Sequence, residues 1–107
     1  MKKTFALLIF LAIPILVFGM AGMSGAASKG EALFMQHCAV CHPDGGNVVN
    51  PAKTLQKKTL EANGVKTVSD IVGKMRNPGP GMTKFNVKTI PDKDANEIAQ
   101  YILKTFK

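Results

Sequence analysis

Apolar residues recur three and four positions apart near the C-terminus of the chain. They would line one face of a helix over Asp92–Thr105, with polar and charged residues on the opposite face. The apolar positions are Ala95, Ile98, Ala99, Ile102 and Phe106. This pattern predicts an amphipathic final helix that packs against the rest of the protein through that face.

A first helix is predicted directly before the cysteines. Ser28 followed three positions later by Glu31 is a capping-box pattern, which is typical of a helix start. Helical spacing then continues up to the cysteines in Gly30, Leu33, Phe34 and His37, and the helix should run into Cys38.

Two further helices are predicted in the middle of the chain. One covers Leu55–Asn63, and Gly64 is placed to end it. The other begins with Thr67 and Asp70. It must end before Pro78, because the residue that precedes a proline disfavours helical backbone.

Proline and glycine mark the irregular segments. Pro43–Asn47 predicts a turn that opens an irregular stretch to about Lys53, and Asn77–Gly81 predicts a stiff loop. No segment alternates between apolar and polar residues as a half-buried strand would. We therefore predict an all-α fold of four to five short helices.

The first 27 residues have the composition of an export signal. Lys2 and Lys3 precede a long apolar run, and the small residues Gly25-Ala26-Ala27 predict cleavage before Ser28. We therefore expect a signal peptide over residues 1–27 and a periplasmic location. The alternative is an uncleaved membrane anchor, since roughly 20 apolar residues can cross a bilayer.

The expected mature domain, residues 28–107, is small and basic. The hydrophobic core of a domain of about 80 residues rarely contributes more than about 3–5 kcal/mol to its stability. A disulfide or a covalently held cofactor should therefore stabilise this domain further. Without Lys2 and Lys3 it has 12 basic and 7 acidic residues, a net charge near +5. Acidic partner proteins are therefore expected. Nucleic acid is not expected, because no basic run exceeds Lys57-Lys58. We expect a monomer.

The two cysteines of the chain lie in one motif, Cys38-Ala39-Val40-Cys41-His42. C-x-x-C-H is typical of covalent haem attachment. One helical turn separates the two thiols, so both can add to neighbouring vinyl groups of one porphyrin. The imidazole of His42 can then reach the iron from the same side. The motif predicts one haem c, bonded to Cys38 and Cys41, with His42 as the proximal iron ligand.

Other uses of these residues fit the sequence less well. A thioredoxin-like dithiol requires a βαβ unit, and no strand is predicted. A tetrahedral zinc site requires four ligands, whereas the candidates are crowded into residues 37–42 without a second cluster. A local disulfide between Cys38 and Cys41 remains a third reading.

A distal iron ligand is expected among the methionines, because thioether sulfur is a common sixth ligand in electron carriers. Met35 and His37 are too near the attachment site, and His37 is expected on the helix surface. Met75 should lie on the apolar face of a helix as core. Met82 follows a proline- and glycine-rich loop that can approach a flat ring closely, so we favour Met82 over Met75.

Several groups of residues occur in the order and spacing of a known family. They are Gly30, Phe34, Cys38–His42, Gly45–Val48, Lys53–Leu55, Leu60–Gly64, Met82–Phe85 and Asp92–Leu103. In these residues the chain from Gly30 to Leu103 resembles cytochrome c6, a small soluble class I cytochrome c.

The resemblance implies a class I cytochrome c fold in which Gly30 and Phe34 meet Tyr101 and Met82 ligates the iron. The chain departs from the family at two positions. Thr83 follows Met82 where the family usually has proline, and Lys74 stands where a glutamine is common.

An iron held by histidine and methionine can exchange electrons but has no open position for a substrate. We therefore expect a one-electron carrier rather than an enzyme, docking briefly with acidic redox proteins through its lysines. Two alternatives remain. One is a peroxidase-like haem enzyme, and the other is a haem-based gas sensor in which Met82 dissociates.

Overall fold

Residues 28–107 fold as four α-helices joined by irregular segments. The computed structural model describes these residues, and the predicted signal peptide, residues 1–27, lies outside them. The elements are α1 (Lys29–His37), a 3-10 turn (Pro43–Gly45), α2 (Lys57–Ala62), α3 (Val68–Arg76) and α4 (Asp92–Thr105). The described range contains no strand, so the all-α prediction is confirmed.

The helix starts follow the predicted caps. The Ser28 hydroxyl accepts a hydrogen bond from the backbone N–H of Glu31 at 3.1 Å. Before α3, the Thr67 hydroxyl accepts from the N–H of Asp70, and the Asp70 carboxylate accepts from the N–H of Thr67. This reciprocal pair satisfies backbone donors that a helix start otherwise leaves unpaired.

The second helix is shorter than predicted. It begins at Lys57 rather than Leu55, because the Thr54 hydroxyl accepts a hydrogen bond from the Gln56 N–H at 3.4 Å, and such a local bond favours a turn over a helix. Its end agrees with the prediction, since Gly64 takes a φ of 76° that a residue with a side chain adopts only under strain.

The core forms where α1 lies against α4. A Cβ atom on Gly30 would collide with the backbone carbonyl of Glu97, so glycine is needed for this close approach. The Phe34 ring lies 5.3 Å from the ring of Tyr101 and 5.4 Å from that of Phe106. The predicted meeting of Gly30 and Phe34 with Tyr101 is confirmed.

The longest described helix is α4, with 14 residues. It is about 21 Å long, short of the roughly 30 Å hydrocarbon thickness of a bilayer. Within residues 28–107, no helix has both the length and the apolar character needed to cross a membrane.

Candidate haem-binding site

A mostly apolar cavity of about 290 Å³ opens between the helices. All four predicted site residues, Cys38, Cys41, His42 and Met82, line it. Apolar side chains from α2, α3 and α4 and from the segments on either side of α2 form its wall. They are Leu55, Leu60, Val65, Ile71, Met75 and Ile102. The fold therefore brings together two thiols, an imidazole and a thioether from positions 38–82 of the chain.

The cysteine motif continues α1 with one further turn. The N–H of Cys38 donates to the Phe34 carbonyl at 2.8 Å, and the N–H of His42 donates to the Cys38 carbonyl at 2.9 Å. A further bond joins the Cys41 N–H to the Cys38 carbonyl at 3.1 Å. These bonds coil the backbone into helix-like turns after α1, so that both sulfur atoms and the imidazole border one cavity. Both thiols are free.

Cys38 is the more deeply buried of the two cysteines. Burial away from water disfavours the thiolate and raises the pKa of Cys38 to about 11, and the nearby Cys41 adds to this effect. At neutral pH the Cys38 side chain is therefore a neutral thiol in an apolar wall.

The orientation of His42 is set by a backbone carbonyl. Its Nδ1 lies 2.7 Å from the Gly46 oxygen, and because a carbonyl oxygen can only accept, Nδ1 carries the proton and donates. The Nε2 atom is then left as the lone-pair nitrogen. Such a bond to the second nitrogen typically orients a metal-ligating histidine.

The turn that supplies this carbonyl depends on Gly45. Asp44 and Gly45 both take positive φ, 52° and 79°, which folds the chain back toward His42. A Cβ atom on Gly45 would also meet the Phe106 ring at 2.5 Å. Glycine is therefore required here both for the turn and for the close approach of the C-terminal residues.

Met82 lies in residues 77–84, which we call the methionine loop. Gly81 takes a φ of 88°, and its Cα position is so close to Val49 that an added Cβ would meet the valine side chain at 3.0 Å. Met82 itself is 38% exposed and lines the cavity. The loop thus carries a thioether to the side of the cavity bordered by Val49.

These residues fit a covalently held haem. Two thiols three positions apart, a tautomerically fixed imidazole and a soft thioether share one cavity, and its wall is chiefly apolar. This set matches the donors found in carrier cytochromes.

Three other residues singled out in the sequence, two as possible ligands and one as a departure from the family, differ in their surroundings. Met75 is 3% exposed and packs in the core, as predicted. His37 was expected on the helix surface, and this expectation is wrong. It is half-buried at the cavity edge, and its ring lies 6.1 Å from that of Phe85. Lys74 is exposed at the cavity edge.

Two site features lie beyond the sequence predictions. One is the Gly46 carbonyl that orients His42, and its signal in the sequence is the turn predicted over Pro43–Asn47. Asn47 shapes the next segment: its side-chain oxygen accepts from the N–H groups of Val49 and Asn50, and its amide donates to the Lys53 carbonyl. An asparagine after two glycines is a recognisable signal for such a turn.

Comparison with known proteins gives a consistent family. Residues 25–102 match the family model described as cytochrome c oxidase, cbb3-type, subunit III. Cytochrome c6 of Synechocystis sp. is 36% identical over 100 residues, covering 87% of this chain and 82% of the relative. Cytochrome c6 of Pyropia yezoensis is 36% identical over 105 residues, covering 96% and 94%.

Solved structures agree. Outer membrane cytochrome F (OmcF) of Geobacter sulfurreducens superposes with a TM-score of 0.72 at 50% identity, covering 73% of this chain and 99% of that one. Cytochrome c6C of Synechococcus sp. superposes with a TM-score of 0.69 at 28% identity, covering 74% and 95%. These likenesses confirm the class I cytochrome c fold. The chain belongs to the cytochrome c6 family, whose members carry one covalently bound haem c and transfer electrons rather than catalyse a reaction.

Proposed function

We propose that this protein carries single electrons between redox proteins outside the cytoplasmic membrane, with its haem bonded to Cys38 and Cys41 and its iron held by His42 and Met82. The observation that carries the proposal is the shared cavity. The four side chains line it together, and the His42 imidazole is fixed so that Nε2 is the free nitrogen.

Each residue has a separate task in this proposal. When bound, the haem supplies an iron that alternates between the ferrous and ferric states. Cys38 and Cys41 fix the cofactor to a domain too small to retain it by packing alone. The hydrogen bond from His42 Nδ1 to the Gly46 carbonyl makes Nε2 a stronger electron-pair donor toward the iron. The soft sulfur of Met82 favours ferrous iron and so raises the midpoint potential.

Burial of the haem among apolar side chains should also raise the midpoint potential. The cavity wall of leucine, valine, isoleucine and methionine side chains excludes water, and an extra positive charge on the iron is costly in such surroundings. With an imidazole and a thioether both engaged, no position is left for oxygen, peroxide or carbon monoxide. The residues thus favour electron exchange over ligand chemistry.

Docking to an acidic partner is supported by the rim of the cavity. Lys53 and Lys74 lie at this rim and are exposed, beside the apolar side chains of Val40 and Val49. Positive charge around an apolar centre suits a small, transient interface with an acidic redox protein. Such an encounter is steered by charge and weakens as salt screens it. We propose that the carrier acts as a monomer.

The location is inferred from the N-terminal segment. Residues 1–27 combine a basic start, an apolar run and a small-residue cleavage pattern, which supports export and a periplasmic carrier. If the segment is retained, the same domain is anchored to the membrane surface. The similar protein from Geobacter sulfurreducens is named an outer membrane cytochrome, which is in keeping with export.

Absorption spectra of the purified holoprotein test the proposal. We expect a methionine-to-iron charge-transfer band in the ferric protein, and a ferrous spectrum that carbon monoxide leaves unchanged. The haem should also stay with the polypeptide during denaturing electrophoresis. A ferric protein without the band, or a ferrous protein that readily binds carbon monoxide, would contradict the ligation by Met82.

A further inference from the structure

The methionine loop is closed at its base by Phe85. The Phe85 N–H donates to the Met75 carbonyl at 2.9 Å, and the Phe85 carbonyl accepts from Nη1 of Arg76 at 3.2 Å. Both backbone polar groups of one residue are therefore held by the last two residues of α3. Residues 77–84, with Met82 among them, form the span between these two anchors.

The rest of the loop has little support of its own. Among the described residues, the backbone of 78–84 makes one internal hydrogen bond, a long 3.5 Å contact from the Met82 N–H to the Gly79 carbonyl. Gly79 and Gly81 also leave the backbone with more freedom than other residues would. The position of the Met82 side chain is thus set mainly at the closed base.

The guanidinium group of Arg76 holds that base through two contacts. Its side chain is 22% exposed, and Nη2 contacts the Asp92 carboxylate at 2.8 Å while Nη1 donates to Phe85. The Asp92 side chain is 77% exposed, so this ion pair contributes little stability by itself. Its effect is to orient the planar guanidinium toward the Phe85 carbonyl, and a charged donor makes a stronger hydrogen bond than a neutral one.

We propose that Arg76 is a positioning residue for Met82, holding the methionine loop closed so that the thioether stays within reach of the iron. The inference rests on the proposed ligation by Met82. Without Arg76, the Phe85 carbonyl loses its charged partner and the loop gains freedom at one anchor. The sulfur then spends more time away from the iron, and an added ligand competes with it more easily.

Imidazole added to the ferric holoprotein measures this competition. In Arg76→Leu we expect imidazole to bind about tenfold more tightly than in the wild type, the factor that corresponds to losing one hydrogen bond to a charged group. Arg76→Lys keeps the charge but not the planar guanidinium group, so its imidazole affinity should fall between those of Arg76→Leu and the wild type. Asp92→Asn should shift the affinity in the same direction but less, and it keeps the test available if Arg76→Leu does not fold.

A matched variant separates positioning from general stability. Thr67→Ala removes the cap at the opposite end of α3 and should lower the thermal midpoint without changing imidazole affinity. If Arg76→Leu and Asp92→Asn lower the thermal midpoint but leave imidazole affinity at the wild-type value, Arg76 has no positioning role.

Met82→Ala provides the second reference. If it binds imidazole far more tightly than the wild type while the Arg76 variants do not, only the role of Arg76 is overturned. If Met82→Ala and the wild type bind imidazole equally, the ligation by Met82 is wrong and the role of Arg76 falls with it.

Discussion

The Nδ1 atom of His42 donates a hydrogen bond of 2.7 Å to the carbonyl oxygen of Gly46. The two residues lie four positions apart, and the turn between them requires positive φ at both Asp44 and Gly45. The imidazole is therefore oriented by the backbone of its own turn rather than by a distant side chain. Any substitution that distorts the turn should therefore change the orientation of the His42 imidazole, the proposed proximal ligand.

Gly45→Ala should destabilise the protein by about 1–3 kcal/mol, because the new methyl group would be forced against the Phe106 ring and φ is positive. Thermal unfolding measures the change. Gly73→Ala is the control, since it lies within α3 with nothing in the way of a Cβ, and it should stabilise by about 0.5–1 kcal/mol. Shifts of the same sign in both variants would contradict this account of Gly45.

Thr67→Ala should lower the free energy of unfolding by about 0.5–2 kcal/mol, because the hydroxyl caps the start of α3. Urea unfolding gives the value. Ser69→Ala changes a hydroxyl in the same helix, but this side chain is exposed and should gain slightly from the helix propensity of alanine. Equal losses in the two variants would show that the cap contributes nothing specific.

Asp70 should make the stability of the fold depend on acid. The Lys66 N–H, followed by that of Thr67, stabilises its carboxylate and lowers the pKa of Asp70 below its ordinary value of 3.8. Because the folded pKa is the lower one, this stabilisation is complete above the ordinary pKa. It is lost as the pH falls through the folded pKa.

Unfolding of the wild type and of Asp70→Asn, followed from neutral pH into strong acid, checks this dependence. We expect the wild type to be the more stable at neutral pH and the difference to shrink as the carboxylate is protonated. A difference that stays constant across the whole range would mean that the charge of Asp70 is not involved.

Lys53→Glu should slow electron exchange with the anionic probe hexacyanoferrate by about three- to tenfold at low ionic strength, since Lys53 lies at the rim of the cavity. Stopped-flow rates over a series of salt concentrations measure the effect, which should fade as salt rises. Lys107→Glu makes the same change of charge away from the rim and should slow the reaction less. Equal decreases in rate for the two variants would mean that the rate depends only on the net charge of the protein and would contradict a role for Lys53 at the rim.

The sequence was sufficient for most of the helical framework. The caps Ser28 and Thr67 and the periodic face of α4 are local signals, and each element they predict is present. The predicted start of α2 at Leu55 is two residues too early, because the bond from the Gln56 N–H to the Thr54 hydroxyl favours a turn there, and hydrophobic periodicity does not reveal such a bond.

The finer geometry of the site depends on contacts that no local pattern encodes. The bond from His42 to Gly46 requires a particular combination of turn angles, and the contact between Arg76 and Phe85 depends on how α3 and the methionine loop pack. His37 was expected at the surface because its neighbours along the helix do not reveal that Phe85 lies beside it. The sequence predicts which types of side chain form the site, whereas tertiary packing determines how those side chains are held.

The ferric spectrum and midpoint potential of Met82→Ala test the central claim most directly. Met35→Ala is the matched control, because Met35 lies on α1 and is 62% exposed. We predict that Met82→Ala loses the charge-transfer band, shows a lower midpoint potential and binds carbon monoxide when reduced, while Met35→Ala matches the wild type. If Met82→Ala keeps the band and the potential of the wild type, the ligation proposed here is wrong.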